Sequence, residues 1–540
     1  MKITRIFVYI TVTVAMLVVT SCNDWLTEKT PGTSTRDEFF TSGETAKKVV
    51  TAAYVPLMWE YGSTYYPEWF IGDVVSDDAL KGGQTITDMA DVYDMENWKT
   101  NTNNTFLLEF YRAQYQGIGR ANLALDEIQK IKTTSTFTSN LKNRYIGEAK
   151  FLRAMYYFRL ARIFGGVALV DYVVDSSNKW EQSRSSRDST FLFIIHDLKS
   201  ADSTLWVKSK YDPADLGRAT KGAAEAMLMR VNLYRAGFLS QDGNMAEAQK
   251  CYTEVKKYGE LLKASGEYSL CEKYFDNFTL AGENGKESVF EIQYTEDPQS
   301  DYGEGEGFTR GTFTCILQRS RSTQLGGGWG FDKPTQNLYN EFEADDQRRD
   351  ETILNPTDDQ IETPAQEIYL GDRYCNRKYA MYTDGQDGGL YTLSHASRGP
   401  LNYKIIRYSD VLLMYAEACC ELGNLDEAKN ALNEVRSRVG LDTFPYTATI
   451  QGKSITFTDN QSDLRIAIRH ERRVEFAMEG QRWFDLCRWG VAKSTMDAYI
   501  AGETEEVRKE SATFIAGKNE LFPIPAKEIE LSGIQQNPKY

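Results

Sequence analysis

The densest run of chemically capable side chains lies at residues 469–490, RHERRVEFAMEGQRWFDLCRWG. Glu471, Glu475 and Glu479 fall four apart, with Arg472, Arg473, Arg482 and Arg488 among them and His470 beside Glu471. His470-Glu471 begins like the zinc-protease pattern H-E-x-x-H, which needs a second histidine one helical turn on. Val474 stands there, so a metal site fails. Glycosidase carboxylates bracket a scissile bond, about 5–9.5 Å apart. Glu471 and Glu475, on one helix face, point the same way and cannot easily do so. Glutamates four apart also repel by roughly 0.2–0.5 kcal/mol a pair. The interleaved arginines can offset this: Arg472 is three from Glu475, Arg482 three from Glu479 and Asp485, and Arg488 three from Asp485. The spacing predicts a structural ion-pair network on a helix packed through Val474, Ala477, Met478, Trp483, Phe484, Leu486 and Trp489.

Other catalytic patterns are missing. LGGGWGF lacks the Gly-Lys-Ser/Thr ending of a P-loop, and its glycines read as a loop that brings Trp329 to the surface. No G-x-S-x-G elbow occurs, His196 and His395 have no evident sequence partners, and no cofactor is expected. The chain is instead rich in rings: 12 % aromatic, with 32 Tyr and 9 Trp against three His. Sugar rings have apolar C–H faces and polar edges, so a glycan site needs flat aromatics beneath and amide or charged groups around them. MWEYGSTYYPEWF supplies Trp59, Tyr61, Tyr65, Tyr66 and Trp69. ENWKTNTNN sets Trp98 beside Asn97, Asn101, Asn103 and Asn104. Trp98 with Asn101, and Trp329 in its glycine-rich loop, have the required chemistry.

The N-terminus carries Lys2 and Arg5, an uncharged apolar run over 6–19, and Val19-Thr20-Ser21-Cys22. This reads as a bacterial lipoprotein signal (1–21) with lipidation at Cys22, because the run is shorter than the roughly 20 residues of a spanning helix. Acyl chains contribute about 0.8 kcal/mol per buried CH₂, so a multiply acylated Cys22 would hold the protein on a membrane. A net charge of −15 argues against nucleic acid. The eight cysteines match neither a zinc pattern nor a disulfide framework and read as small core residues.

Helical periodicity dominates the elements that must position these groups. It predicts helices over 106–131 (one bent helix or two), 145–164, 189–207, 220–236, 245–262, 409–421, 425–439 and 463–489. The stretch 145–164 is apolar on nearly every face and so buried, and Gly165-Gly166 ends it. GNMAEAQ (243–249) and GNLDEAK (423–429) each join two helices, as in a degenerate tetratricopeptide-like repeat. Ala416, Gly423 and Ala428 are the small residues expected to let helices pack closely. Between about 266 and 404 the texture turns loop-rich, with a strand at 288–292. The expected fold is mainly α, a helical-pair scaffold over 41–265 and 405–540 carrying an irregular, small-β insertion over 266–404. The whole forms one domain behind a tether at 22–40.

Several segments together resemble the SusD/RagB family of outer-membrane lipoproteins. They are CNDWLTEKTPGTSTRDEFFTSGETAKKVVTAAYVPL, YQGIGRANLALDEI, GEAKFLRAMYYFRLARIFGGVALV, RYSDVLLMYAEA, RHERRVEFAMEGQRWFDLCRWG and ELFPIPAKEIELSGIQQNPKY. Ala168 departs from the pattern where the family often has proline. The resemblance implies a non-catalytic surface protein on a tetratricopeptide-like scaffold. It would capture oligosaccharides and pass them, as a lid, to a SusC-like TonB-dependent transporter. It also implies that the variable loops 59–104 and 301–336 choose the ligand, with Trp98, Asn101, Tyr294, Trp329 and Lys81 in the segments that build the sugar site. The family includes peptide and glycoprotein binders, and the negative charge would favour basic peptides. A surface glycosidase or protease using carboxylates is the third alternative.

Overall fold

A computed structural model describes residues 35–175, 183–296, 310–361, 371, 373–382, 391, 393, 395–503 and 513–540. Cys22 and the whole signal region lie outside the described residues. The chain is mainly helical. The longer helices are α1 (Gly43–Tyr54), α2 (Thr105–Lys130), α3 (Ser139–Phe164), α4 (Arg187–Thr204), α5 (Lys221–Gln241), α6 (Met245–Ser265), α7 (Tyr408–Glu421), α8 (Leu425–Arg438) and α9 (Gln461–Glu475). Side-chain oxygens start several of them: Asn104 accepts the Leu107 N–H at 2.9 Å, Thr138 that of Leu141 at 3.2 Å and Thr220 that of Ala223 at 3.1 Å. Residues 106–131 form one helix. Neighbours in sequence pack side by side from α2 through to α6, α6 packs on α7, and α7 on α8 and α9.

The two repeat turns are built alike. Asn244 N–H donates to Leu239 O and Asn424 N–H to Cys419 O, each at 2.8 Å, after Gly243 and Gly423 at φ 77° and 78°. Ala416 and Ala428 are fully buried, as close helix packing requires. Gly423 serves differently: a Cβ there would meet nothing within 4 Å, so the residue is needed for its left-handed φ and not for contact.

α3 is enclosed on most sides, and its arginines are paired in the interior: Arg153 with Asp197 at 2.7 Å, Arg162 with Glu68 at 2.6 Å and Arg144 with Asp215 at 2.8 Å. The strands form two-stranded antiparallel pairs among the described residues: β1 (Ala79–Gly82) with β3 (Phe331–Pro334), and β2 (Ser288–Ile292) with β4 (Tyr403–Arg407). A surface hairpin, Tyr446–Ile450 with Lys453–Phe457, lies before α9. The seven described cysteines are all buried, with no disulfide among them.

The charged stretch corrects one expectation. α9 ends at Glu475, and a separate helix α10 (Arg482–Arg488) follows a turn with Met478 at φ 62° and Gly480 at φ 72°. The Asp73 carboxylate accepts the Gly480 N–H (2.9 and 3.0 Å to its two oxygens). A Cβ on Gly72 would lie 2.1 Å from Gly480 O, so turn and neighbour touch backbone to backbone. An ion-pair network is present, but most of its partners come from far along the chain. Glu475 meets Arg348 at 2.9 Å, Arg407 at 2.8 Å, and Arg438. Glu479 meets Lys378 and Arg407, each at 2.7 Å, and Arg482 binds Asp77 at 2.8 Å. Asp485 keeps the local partner Arg488 at 2.7 Å and adds Arg472 at 3.0 Å.

Candidate functional site

The candidate site is an arc of three half-buried rings, Tyr61, Tyr65 and Trp329. Gly62 N–H donates to Thr64 O at 2.9 Å, and Tyr61 bridges Tyr65 as a short antiparallel pair. This tight turn sets the two tyrosine rings side by side, centroids 4.8 Å apart. Trp329 stands edge-on to Tyr65 at 5.3 Å and 75°. Phe313, fully buried, lies beneath at 5.2 Å from Tyr65 and 6.0 Å from Tyr61, with the Arg398 guanidinium 4.0 Å from its centroid.

Backbone bonds fix the loop that carries Trp329. Its N–H donates to Ile316 O at 2.8 Å, that of Gly328 to Ser320 O at 2.6 Å and that of Gly330 to Arg319 O at 2.9 Å. Gly326, Gly327 and Gly330 take positive φ, and a Cβ on Gly328 would strike Arg319 O at 2.4 Å. The rim is polar. Ser63 Oγ donates to Glu109 Oε1 at 2.8 Å, and the Asp88 carboxylate accepts the Gln84 N–H at 2.9 Å. Such an arrangement offers apolar ring faces edged by hydrogen-bonding groups, held in place without a ligand's help.

The five residues singled out in sequence fall in different surroundings. Trp329 is part of the arc. Lys81 is fully buried: its Nζ donates to the carbonyls of Gly82 (2.9 Å), Thr85 (3.2 Å) and Asp88 (2.6 Å) and lies 5.3 Å from the Phe331 ring. Burial lowers its pKa, with Glu96 pulling the other way. Lys81 therefore ties down the 82–88 loop, next to Trp329 through the Gly83 N–H to Gly330 O bond at 2.9 Å. Tyr294 is buried behind the arc, in a small cavity of about 30 Å³ shared with Trp59, Glu60, Tyr66 and Arg159. Trp98 is 7 % exposed and packs edge-on against Phe514 at 5.2 Å, away from any ring of the arc. Asn101 is exposed, and its side-chain oxygen accepts the Asn103 N–H at 2.9 Å.

Sequence reasoning named Tyr61 and Tyr65 among the loop aromatics without placing them in the site. The Gly62-Ser63 turn between rings four apart was the available signal. Phe313 carried none. Among the described residues no group of three or more His, Cys, Asp or Glu could hold a metal ion. A further cavity of about 880 Å³ is an apolar groove between α2, residues 168–174 and the C-terminal segment, lined by Tyr115, Ile118, Val170, Leu531 and Ile534. No acid–base pair converges there, and no described helix is long and apolar enough to cross a membrane.

Two family models match the chain. Residues 374–540 match the SusD family, and residues 21–233 match a family described as starch-binding associating with outer membrane. The SusD-like protein P2 of Formosa agariphila is 25 % identical over 98 % of this chain and 99 % of its own length. A solved laminarin-binding SusD-like protein is 25 % identical, with a TM-score of 0.74 over 93 % of this chain and 100 % of that one. Surface glycan-binding protein A from Bacteroides thetaiotaomicron, solved in complex with laminarihexaose, shares the fold at 24 % identity and a TM-score of 0.74, covering 92 % of this chain and 100 % of that one.

Proposed function

Because the chain belongs to the SusD/RagB family, we propose that it is a non-catalytic lipoprotein of the outer-membrane surface that binds oligosaccharides and delivers them to a TonB-dependent transporter. The observation that carries glycan binding is the arc of Tyr61, Tyr65 and Trp329, whose rings stay half-open while their backbones are pinned. Stacking a sugar on such rings needs little ordering of the protein, so more of the contact energy appears as affinity. Likeness to a laminarin-binding SusD-like protein and to a starch-binding family supports a glucan-like ligand.

The absence of catalysis rests on what the acidic groups do. Glu471, Glu475 and His470 are buried and engaged with Arg348, Arg407 and Glu341, so none faces a cleft as a free acid or base. Lys81 and Tyr294 support the surface from behind, whereas Trp98 packs on Phe514 instead. The anchor is the acylated Cys22.

Calorimetric titration with glucan oligosaccharides tests the reading. The wild-type protein should bind, and Trp329→Ala should weaken binding by about 2 kcal/mol, roughly thirtyfold, as loss of a central aromatic contact does. If no oligosaccharide in a broad panel binds while a basic peptide does, the glycan reading is wrong.

A further inference from the structure

Glu60 lies directly under the arc and is 6 % exposed. Its carbonyl accepts the Tyr66 N–H at 2.8 Å, closing the loop that bears Tyr61 and Tyr65. Its carboxylate reaches across to the segment holding Phe313. The Thr312 hydroxyl donates to both oxygens at 3.0 Å, the Thr314 hydroxyl to Oε1 at 2.7 Å and the Phe313 N–H to Oε2 at 2.5 Å. The other ends of these bonds fix their direction. Thr312 Oγ1 accepts the Thr314 N–H at 3.1 Å and Thr314 Oγ1 accepts the Trp69 indole N–H at 3.0 Å, so both hydroxyl protons face Glu60.

The carboxylate thus meets donors from Thr312, Phe313 and Thr314 and has no ion-pair partner among the described residues. Burial raises its pKa while these donors pull it back. Tyr294 packs beside it from just beyond β2, its hydroxyl pushed well above the usual range by burial and by the Glu60 charge. A buried carboxylate without a cation is costly and persists only where its donors are in place. Here those donors belong to the segment that floors the arc.

We propose that Glu60 is the positioning residue of the ligand platform: its carboxylate clamps the Tyr61–Tyr65 turn to Phe313, fixing the rings before a ligand arrives. This rests on the glycan reading of the arc. A glutamine has the same shape, but its NH₂ donates where the carboxylate oxygen accepts, so a threonine hydroxyl that now donates to Glu60 loses its acceptor and the clamp weakens.

The test compares wild type with Glu60→Gln by amide hydrogen exchange and by titration with a glucan oligosaccharide. In the variant, amides of residues 61–66 and 312–314 should exchange at least tenfold faster while α2 and α3 are unchanged. Kd should rise at least tenfold at unchanged stoichiometry. A merely structural role would instead lower the stoichiometry and leave Kd alone, which would overturn the proposal, as would unchanged exchange in both segments. Should Glu60→Gln fail to fold, Thr312→Val removes the hydroxyl shared by both Glu60 oxygens and should raise Kd about threefold; wild-type Kd there would also overturn it. If Trp329→Ala loses binding but Glu60→Gln keeps it, the clamp fails and the glycan reading stands. If the wild type binds no oligosaccharide, that reading fails, and the exchange comparison still decides whether Glu60 orders the turn.

Discussion

The ion-pair lattice around Glu475 and the aromatic arc around Trp329 are both rigid, and they are rigid for opposite reasons. In the lattice every charge is taken out of water and matched by another: Arg407 alone bonds Glu287, Glu475 and Glu479. In the arc the backbone and a buried carboxylate do the fixing, and the ring faces are left partly open. A group that is saturated by its own protein has nothing to offer a ligand. The density of charge at 469–490 therefore marks where the molecule is locked, and the half-open rings mark the proposed binding surface.

The largest break in that comparison is Glu475→Ala. It leaves Arg348, Arg407 and Arg438 sharing too few carboxylates in the interior. Removing one partner of a buried pair costs about 3–5 kcal/mol. Denaturant unfolding should show a loss of that size or a failure to fold. A loss below about 1 kcal/mol would mean the lattice is not what locks this region.

His470 gives the next largest effect, and it depends on pH. It is buried with Nδ1 2.9 Å from Glu341 and Nε2 3.5 Å from Glu343, and these carboxylates raise its pKa to about 9 against desolvation that lowers it. Its proton is bound more tightly in the folded chain than at the ordinary 6.5, so it stabilises the fold by about 3 kcal/mol below pH 6.5. That contribution is lost as pH rises through about 9. Glu343, held near 2 by His470 and Arg436 despite burial, gives the converse: stability present above the ordinary carboxylate pKa and lost toward pH 2. The stability difference between wild type and His470→Gln should shrink between pH 6.5 and 10, read as the gap between their melting temperatures. A gap constant over that range would remove His470 from the lattice's charge balance.

These residues also show what the chain disclosed in advance. The long helices and both repeat turns follow from local spacing and capping, so they were legible. The identity of the lattice partners was not: Arg348 meets Glu471 across 123 positions, and Asp73 turns the chain at Gly480 across 407. A strong local pattern (glutamates four apart beside arginines three away) suggested one long helix with its own pairs, and distant partners overrode it. The same holds for the site. Trp329 was legible because glycines flank it, whereas the burial of Trp98 is decided by Phe514, which no local signal announces.

Trp98 is where the comparison can be drawn most finely, because the residue has site-like neighbours in sequence and core-like neighbours in space. Its ring edge packs on Phe514, and its φ of 54° places it in a left-handed turn after Ala90–Glu96. Its indole N–H is buried without a hydrogen-bond partner among the described residues. Trp98→Phe keeps an aromatic edge and removes that unpaired donor, so lost packing and a relieved polar group act in opposite directions. The net cost should be small, about 1 kcal/mol. Oligosaccharide Kd should stay within about twofold of wild type, since a ring only 7 % exposed leaves little face open for a sugar to stack on. A tenfold rise in Kd with stability intact would instead place Trp98 on the ligand surface. It would mean that the boundary between the locked and the binding regions runs on the far side of residue 98.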